Sequence, residues 1–391
     1  MEQTKTNHAA LTLFALAISA FGIGSTEFIS VGLLPLIKED FGVSLNQAGL
    51  TVSIYALGVT IGAPILTALT SRLAKKQILL LVMTVFILGN LIAAFAPIFS
   101  LLLVGRIIAS FAHGVFMSVA SVIAAEVVMP DKRASAISIM FTGLTVATVT
   151  GVPLGTFIGQ AINWRWSFLF IAGIGIIGWL ANFLLVPSTL TKSQAISLAD
   201  SIAVLKNKQM LLILLLTAIG YGGTFTVYTF ITPILETYFG YSSQASVIIL
   251  VIYGLFVALG NTLGGKWANQ QPLRFIFYAF IGLSISLLLL FLFINNRMLG
   301  LGAVLLMGLF MFMSVPGLQL YAVIIAEREV PQATAMASAL NISAFNVGIF
   351  LGSTIGGQVV ATQSLSYTPL YGFVMVVVAS IIVKIWSKKI A

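Results

Sequence analysis

Residues 9–37 read AALTLFALAISAFGIGSTEFISVGLLPLI and carry one charged side chain, that of Glu27. An apolar helix needs about 20 residues to cross the hydrocarbon core of a bilayer, and this stretch has them. A carboxylate within that core is costly and is usually retained for function. The stretch therefore predicts a membrane-embedded helix with a functional acid at Glu27.

The composition of the whole chain is typical of an integral membrane protein. Of its 391 residues, 59% are hydrophobic and 7% are charged, whereas soluble domains carry roughly 25% charged residues. Repeated long apolar runs indicate transmembrane helices rather than a β-barrel. The net charge of +9 fits basic cytoplasmic loops, so we expect no nucleic-acid partner. Cysteine is absent and only two histidines occur, so we expect no disulfide and no metal site.

Twelve apolar stretches are predicted to span the membrane. They lie at residues 10–34, 46–70, 77–96, 99–127, 134–161, 166–186, 210–235, 245–268, 274–294, 299–325, 333–361 and 368–386. Charged or turn-forming residues separate them, including 38–40 and 327–329. The predicted fold is an all-α membrane protein with a tail at 1–9, a six-helix bundle at 10–186, a linker at 187–209, a second six-helix bundle at 210–386 and a tail at 387–391.

Lysine and arginine residues predict the orientation. If the N-terminus is cytoplasmic, the outer loops hold only Lys38, Arg165 and Arg297, and most other basic residues lie on the inner side. Basic loops remain on the cytoplasmic side of a membrane. Both termini are therefore expected in the cytoplasm, with the chain crossing the cell membrane many times.

The two halves repeat weakly, which is how one transporter architecture builds two bundles. Matching pairs include Gly24 with Gly222, Pro35 with Pro233, Gly42 with Gly240, Glu126 with Glu327, and Gly151 with Gly352. The membrane-embedded charges do not repeat. Their counterparts are apolar or small: Phe225 for Glu27, Met307 for Arg106, and Ser314 for His113.

Arg106 and His113 lie two helical turns apart on the fourth span, so they share a face. Both are predicted at depths similar to that of Glu27. The guanidinium favours the charged carboxylate whereas burial disfavours it, and an imidazole titrates near neutral pH. We interpret the three residues as a proton-coupling cluster. The alternative is a static buried ion pair that fixes helix packing.

The fifth span contains Gly151, Pro153 and Gly155. Small residues four apart let another helix approach closely, and proline permits a bend. These three are candidates for a conformational pivot, or for helix packing alone.

Charged residues at cytoplasmic span ends are candidates for ion pairs that latch one state: Arg72, Glu126 and Glu327. Polar and aromatic residues within spans are candidates for substrate contact: Thr26, Phe28, Tyr55, Phe116, Met117, Tyr221, Tyr228, Gln319, Asn341 and Asn346.

Several motifs together resemble those of the major facilitator superfamily, across nearly the whole chain. They are Gly24-Ser-Thr-Glu27-Phe28, Gly32-Leu-Leu-Pro35, Arg106 with His113-Gly114, and Gly151-Val-Pro153-Leu-Gly155 followed by Trp164-Arg165. The chain is similar to the group of drug:proton antiporters with twelve spans, and within it to the branch associated with arabinose or sugar efflux and chloramphenicol resistance. The loop after the second span departs from the family pattern, because Ser71 replaces its aspartate. The aspartate-based latch of that loop is therefore not carried over.

The resemblance and the charge cluster together predict a proton-driven antiporter that exports small organic molecules, either drugs or sugars. Its expected partners are the substrate, protons and the lipid bilayer, and we expect a monomer. The open alternatives are a uniporter or proton symporter of a metabolite, and a membrane sensor without transport.

Residues 260–266 partly match a phosphate-binding loop, but Trp267 stands where serine or threonine is needed. No ATP site, cofactor or enzymatic activity is expected.

Overall fold

A computed structural model describes the chain at residues 2–70, 73–129, 133–188, 190, 198–268, 271–331 and 334–390. Over these residues the chain forms α-helices joined by short connections, and no strand occurs among them.

In the first half the helices are α1 (Glu2–Phe41), α2 (Leu45–Thr70), α3 (Lys75–Ala94), α4 (Phe99–Glu126), α5 (Arg133–Val146), α6 (Val152–Ala161) and α7 (Trp164–Leu185). In the second half they are α8 (Leu198–Lys206), α9 (Lys208–Leu216), α10 (Phe225–Tyr228), α11 (Ile231–Thr237), α12 (Ser243–Ala268), α13 (Pro272–Leu292), α14 (Arg297–Glu329), α15 (Thr334–Thr362) and α16 (Thr368–Ile390). Wider π-helical turns occupy Ala147–Gly151 and Thr217–Tyr221, and a short 3₁₀ turn occupies Leu365–Tyr367.

Eleven helical stretches among the described residues are long and apolar enough to cross a membrane, by length and composition. They coincide with eleven of the twelve predicted spans. The remaining predicted span, 46–70, coincides with α2, which has 26 residues but is not among the eleven. The all-helical, multi-span prediction is confirmed, whereas the count of twelve and the side of the termini stay predictions.

Two predicted breaks are wrong, because α1 continues through residues 38–40 and α14 continues through 327–329. Five of these six residues are lysine, arginine or glutamate, which are good helix formers, so charge at these positions does not end the helix. The end of α1 is set by Gly42, whose φ of +61° is readily open only to glycine. The amides of Gly42 and Val43 then bond back to the carbonyls of Glu39 and Lys38. Gly240, the repeat partner of Gly42, has a φ of +63°.

Contacts between Cα atoms divide the chain into two compact units. The first contains Met1–Ser30 and Gly58–Ile196, and the second contains Val31–Leu57 and Ser197–Ala391. The predicted bundles at 10–186 and 210–386 follow the order of the chain, whereas these units assign residues 31–57 to the second. The bundle boundaries therefore stay a prediction.

In the first unit, glycines on α5 and α6 let α1 pack closely. A Cβ atom at Gly143 would collide with the backbone oxygen of Ala17, and one at Gly155 would collide with the side chain of Ile29. The obstacle at Gly143 is backbone, so a methyl group has no room there and this glycine sets the distance between α1 and α5. The obstacle at Gly155 is the end of a side chain. A Cβ at Gly151, in the π turn, would meet the hydroxyl of Ser25.

The second unit repeats this arrangement with α15. A Cβ at Gly352 would collide with the backbone oxygen of Gly222, and one at Gly356 would meet the backbone oxygen of Thr226. Gly352 is the repeat partner of Gly151. In both units, therefore, glycines let these helices lie in close contact with the first membrane span of that half.

Candidate functional site

Glu27 lies in the interior of α1, on a fully helical stretch, and its side chain is 8% exposed. Its neighbour Thr26 is fully buried. Both residues belong to the first unit, close to the glycine contact between α1 and the π turn. The predicted carboxylate is thus buried.

Arg106 of α4 reaches α1 at these two residues and is 1% exposed. Its Nη1 atom donates to the Thr26 carbonyl at 2.6 Å, and its Nη2 atom donates to the Glu27 carbonyl at 3.1 Å. Nη1 also lies 3.3 Å from the Thr26 hydroxyl oxygen. The guanidinium carbon is 6.0 Å from the centre of the Phe168 ring. These three contacts of Arg106 with α1 go to two backbone carbonyls and a hydroxyl, and not to the Glu27 carboxylate.

Asn90 of α3 completes this cluster and was missed by sequence reasoning. Its Oδ1 atom accepts from the Thr26 hydroxyl at 2.7 Å, and its Nδ2 atom donates to the Phe86 carbonyl at 2.9 Å. Asn90 is 1% exposed. A signal was present in the sequence, because Asn90 is the one amide in the apolar run at residues 78–96 of the third span. We call Thr26, Glu27, Asn90 and Arg106 the polar cluster.

His113 lies on α4, two turns after Arg106, and is buried. The two residues share a helix in the same unit, as the spacing indicates. A direct coupling of His113 to Glu27 stays a prediction.

The candidates for substrate contact in the first half are buried. Phe28, Phe116 and Met117 are buried residues of the first unit. Thr26 is held by Asn90 and Arg106 as described above. Tyr55, also buried, belongs to the second unit.

In the second unit, Tyr221 and Tyr228 belong to a run of packed aromatic rings. The Tyr221 ring centre lies 4.9 Å from that of Phe345 in an edge-to-face arrangement and 5.3 Å from that of Phe225. Tyr228 stacks on Tyr253 with centres 5.1 Å apart. We call these rings, with Phe312 at 6.1 Å from Tyr221, the aromatic cluster.

The candidate amides of the second unit form a hydrogen-bonded chain. The Thr217 hydroxyl donates to Asn341 Oδ1 at 2.8 Å, and Asn341 Nδ2 donates to Gln319 Oε1 at 2.8 Å. Gln319 Nε2 in turn donates to the Ser338 hydroxyl at 2.8 Å. This chain links the π turn after α9 with α14 and α15. Asn346 donates to the Ile342 carbonyl, and its Oδ1 atom is buried with no partner among the described residues.

The candidates for conformational change are placed as follows. Glu126 forms an ion pair with Lys75 of the same unit, and Glu327 is exposed at the end of α14. Arg72 lies outside the described residues. Pro153 is the second residue of α6, and α6 follows directly on the π turn. Among the described residues, no group of acidic and histidine side chains suits a metal ion.

Comparison with known proteins reveals full-length relatives. A sequence profile described as Major Facilitator Superfamily matches residues 16–353. The chain is 52% identical to the uncharacterized MFS-type transporter YtbD of Bacillus subtilis (strain 168), over 96% of this chain and 95% of YtbD. It is 38% identical to the inner membrane transport protein YdhP of Escherichia coli (strain K12), over 96% of each chain. It is 30% identical to a probable sugar efflux transporter of Helicobacter pylori (strain P12), over 95% of this chain and 94% of that one.

Proposed function

Because the chain belongs to the major facilitator superfamily, and is thus a multi-pass transporter of the cell membrane and not an enzyme, we propose that it is a proton-coupled antiporter exporting small organic molecules. The proposed architecture has twelve spans, with α2 as the one beyond the eleven, two six-helix bundles and cytoplasmic termini. The observation that carries the proposal is the position of Arg106 on the backbone carbonyls of Thr26 and Glu27, beside a buried carboxylate.

Glu27 is the proposed proton carrier. With Glu27 ionised, its negative charge is balanced by Arg106; with Glu27 protonated, the cluster carries the single positive charge of Arg106. A cationic substrate is therefore disfavoured by protonation and favoured by proton release. Such opposition is what obligatory antiport requires. His113, on the same helix as Arg106, is proposed to pass the proton to or from Glu27.

The aromatic cluster of the second unit supports a planar or cationic drug as substrate. Ring faces attract organic cations, and pockets for small molecules are lined mainly by apolar and aromatic groups with a few polar ones. Tyr221 and Tyr228 are the proposed contacts, together with the buried oxygen of Asn346.

A sugar is the second candidate substrate, and a separate observation favours it. Gln319 and Asn341 are amides with both donors and acceptors, which suit the hydroxyl groups of a sugar. The name of the Helicobacter pylori relative points the same way.

Transport into proteoliposomes under imposed pH gradients tests the proposal, with ethidium as the cationic probe and arabinose as the sugar probe. An antiporter accumulates one of them when the vesicle interior is acidic. A symporter accumulates it when the exterior is acidic, and a uniporter ignores the gradient. A membrane sensor moves neither probe.

Glu27→Gln and His113→Ala identify the proton site in the same vesicles. Both are expected to abolish gradient-driven uptake, while Glu27→Gln still exchanges labelled for unlabelled probe across the membrane. Intact gradient-driven uptake in Glu27→Gln would show that the proton is carried elsewhere.

A further inference from the structure

The amide of Asn90 has a fixed orientation. Its Nδ2 atom is bound to the carbonyl of Phe86, one turn earlier on α3, so its Oδ1 atom faces Thr26. An amide oxygen is only an acceptor, so the Thr26 hydroxyl must donate its hydrogen to Asn90. The lone pairs of that hydroxyl are then left for another donor, and Arg106 Nη1 lies on that oxygen.

From this chain of contacts we infer that Asn90 is a positioning residue, which acts through the Thr26 hydroxyl to hold the Arg106 guanidinium on the backbone of α1 and away from the Glu27 carboxylate. The inference rests on the proposed role of Glu27 in proton coupling. Asn90 does not touch the proton-carrying oxygens. It determines which acceptors the neighbouring positive charge uses.

The need for such a residue follows from the chemistry of arginine. A guanidinium has five N–H donors and prefers a carboxylate, which it can bind with two parallel bonds. A permanent bond of that kind at Glu27 keeps the carboxylate ionised and stops it from carrying a proton. Two carbonyls and a correctly oriented hydroxyl give Arg106 an alternative set of acceptors.

The second half of the chain has no equivalent amide. Repeat partners such as Gly24 and Gly222, or Gly151 and Gly352, lie 198 or 201 positions apart. The positions that repeat Asn90 therefore fall within residues 288–291, which are leucine and phenylalanine. The counterparts of Glu27 and Arg106 are also apolar. The half of the chain that lacks the charges also lacks the amide, as expected if Asn90 positions one of those charges.

Replacing Asn90 by leucine removes the acceptor for the Thr26 hydroxyl. The hydroxyl then turns to a carbonyl of its own helix, as threonine commonly does, and its oxygen no longer faces Arg106. Thr26→Val removes the same oxygen directly. Both variants are expected to release one arm of the guanidinium toward the Glu27 carboxylate.

Labelling of Glu27 by dicyclohexylcarbodiimide measures this release without a transported substrate. The reagent is lipid-soluble and reacts with protonated carboxyl groups, and mass spectrometry of the intact full-length protein in lipid vesicles counts the adduct. Wild type is expected to be labelled and Glu27→Gln not. Asn90→Leu and Thr26→Val are each expected to reduce labelling about tenfold, as one additional charge-assisted bond to the carboxylate predicts.

Three comparisons separate positioning from a general loss of structure. Asn182→Leu makes the same change at another buried amide of the first unit, one bound to Ser19, and is expected to leave labelling unchanged. The double variant Asn90→Leu/Thr26→Val is expected to label like either single variant, because both act through one hydroxyl. Thr26→Ser keeps the hydroxyl and is expected to be labelled to the same extent as wild type.

The outcomes distinguish the two proposals. Unlabelled Glu27 in wild type at every pH overturns the proton site and leaves Asn90 nothing to position. Labelled wild type with unchanged or increased labelling in Asn90→Leu overturns the role of Asn90 alone. Additive losses in the double variant also overturn it. If Asn90→Leu fails to fold, Thr26→Val and Thr26→Ser decide the question by themselves.

Discussion

Arg106 donates a hydrogen bond from Nη2 to the backbone carbonyl of Glu27 at 3.1 Å. The positive charge is thereby attached to the helix that carries the acid, whether the acid is protonated or not. Bonds to a backbone cannot be lost by titration, so the distance between the two groups is set by helix packing. This arrangement keeps a fixed positive charge beside a buried carboxyl group.

Arg106→Lys is expected to reduce gradient-driven transport strongly although the charge is retained. An ammonium is compact and cannot reproduce a planar fork that reaches two carbonyls and a hydroxyl. Loss of one charge-assisted bond of about 1.5–3 kcal/mol corresponds to a loss of about tenfold or more. Uptake into proteoliposomes under a pH gradient measures it.

The matched control for this change is Arg165→Lys. Arg165 belongs to the same unit and donates to the Ala96 carbonyl at 3.1 Å, away from the polar cluster. Transport at the wild-type level is expected in that variant. Equal activity of the two lysine variants would mean that charge alone matters at position 106.

Gly143→Ala is expected to destabilise the first unit. A Cβ there meets the backbone of Ala17, which cannot rotate away as a side chain can. Overpacking of this kind costs about 1–3 kcal/mol. Thermal unfolding of the purified protein in detergent measures the change.

Gly173→Ala, on α7, provides the comparison because a Cβ atom there has open space around it. Alanine is favoured over glycine within a helix by roughly 0.5–1 kcal/mol, so this variant is expected to be slightly more stable than wild type. If the two variants unfold at the same temperature, close packing of α1 on α5 is not what requires glycine.

Loss of the ion pair between Lys75 and Glu126 is expected to lower stability more than transport. The pair joins the start of α3 to the end of α4, within one unit, and the Lys75 side chain is only 6% exposed. Glu126→Gln leaves that ammonium with a neutral neighbour. Because the Glu126 side chain is 31% exposed, solvent reduces the expected cost to about 1–2 kcal/mol.

The double variant Lys75→Met/Glu126→Leu is expected to recover most of that stability, since no buried charge remains. Unfolding temperature and proteoliposome uptake are measured on all three proteins. A Glu126→Gln protein of normal stability but impaired transport would instead support the predicted latch.

Most of the fold could be predicted from the sequence because membrane spans are encoded locally. Long apolar runs give the helices, and a repeated Phe-Gly pair gives Gly42 and Gly240 the same conformation. The ends of α1 and α14 were misjudged, because charged residues are compatible with helix and only a terminating signal such as Gly42 ends one. The assignment of residues 31–57 to the second unit depends on contacts distant in sequence, which periodicity does not report.

The site was predictable to a lesser degree. Glu27 and Arg106 were found because charges in apolar runs are conspicuous, and their depths were close enough to bring them together. Asn90 was overlooked because it is uncharged and lies on a helix whose facing was unknown. The direction of each Arg106 bond depends on positions within a few tenths of an ångström, which sequence spacing cannot supply.

Tyr221→Ala is expected to impair export of a planar cation, whereas Tyr221→Phe is not. The ring of Tyr221 packs against Phe345, Phe225 and Phe312, so neighbours from α10, α14 and α15 fix its orientation. An aromatic face contributes about 0.5–2 kcal/mol to binding of an organic cation, which corresponds to about a twofold to thirtyfold loss. Efflux of ethidium from loaded cells that express each variant measures it.

Tyr278→Ala removes an exposed tyrosine of α13 and is expected to export ethidium normally. Normal ethidium export by Tyr221→Ala, with the protein present at wild-type level, would exclude the aromatic cluster as the cation site. Arabinose export reduced by Gln319→Leu would then favour the amide chain.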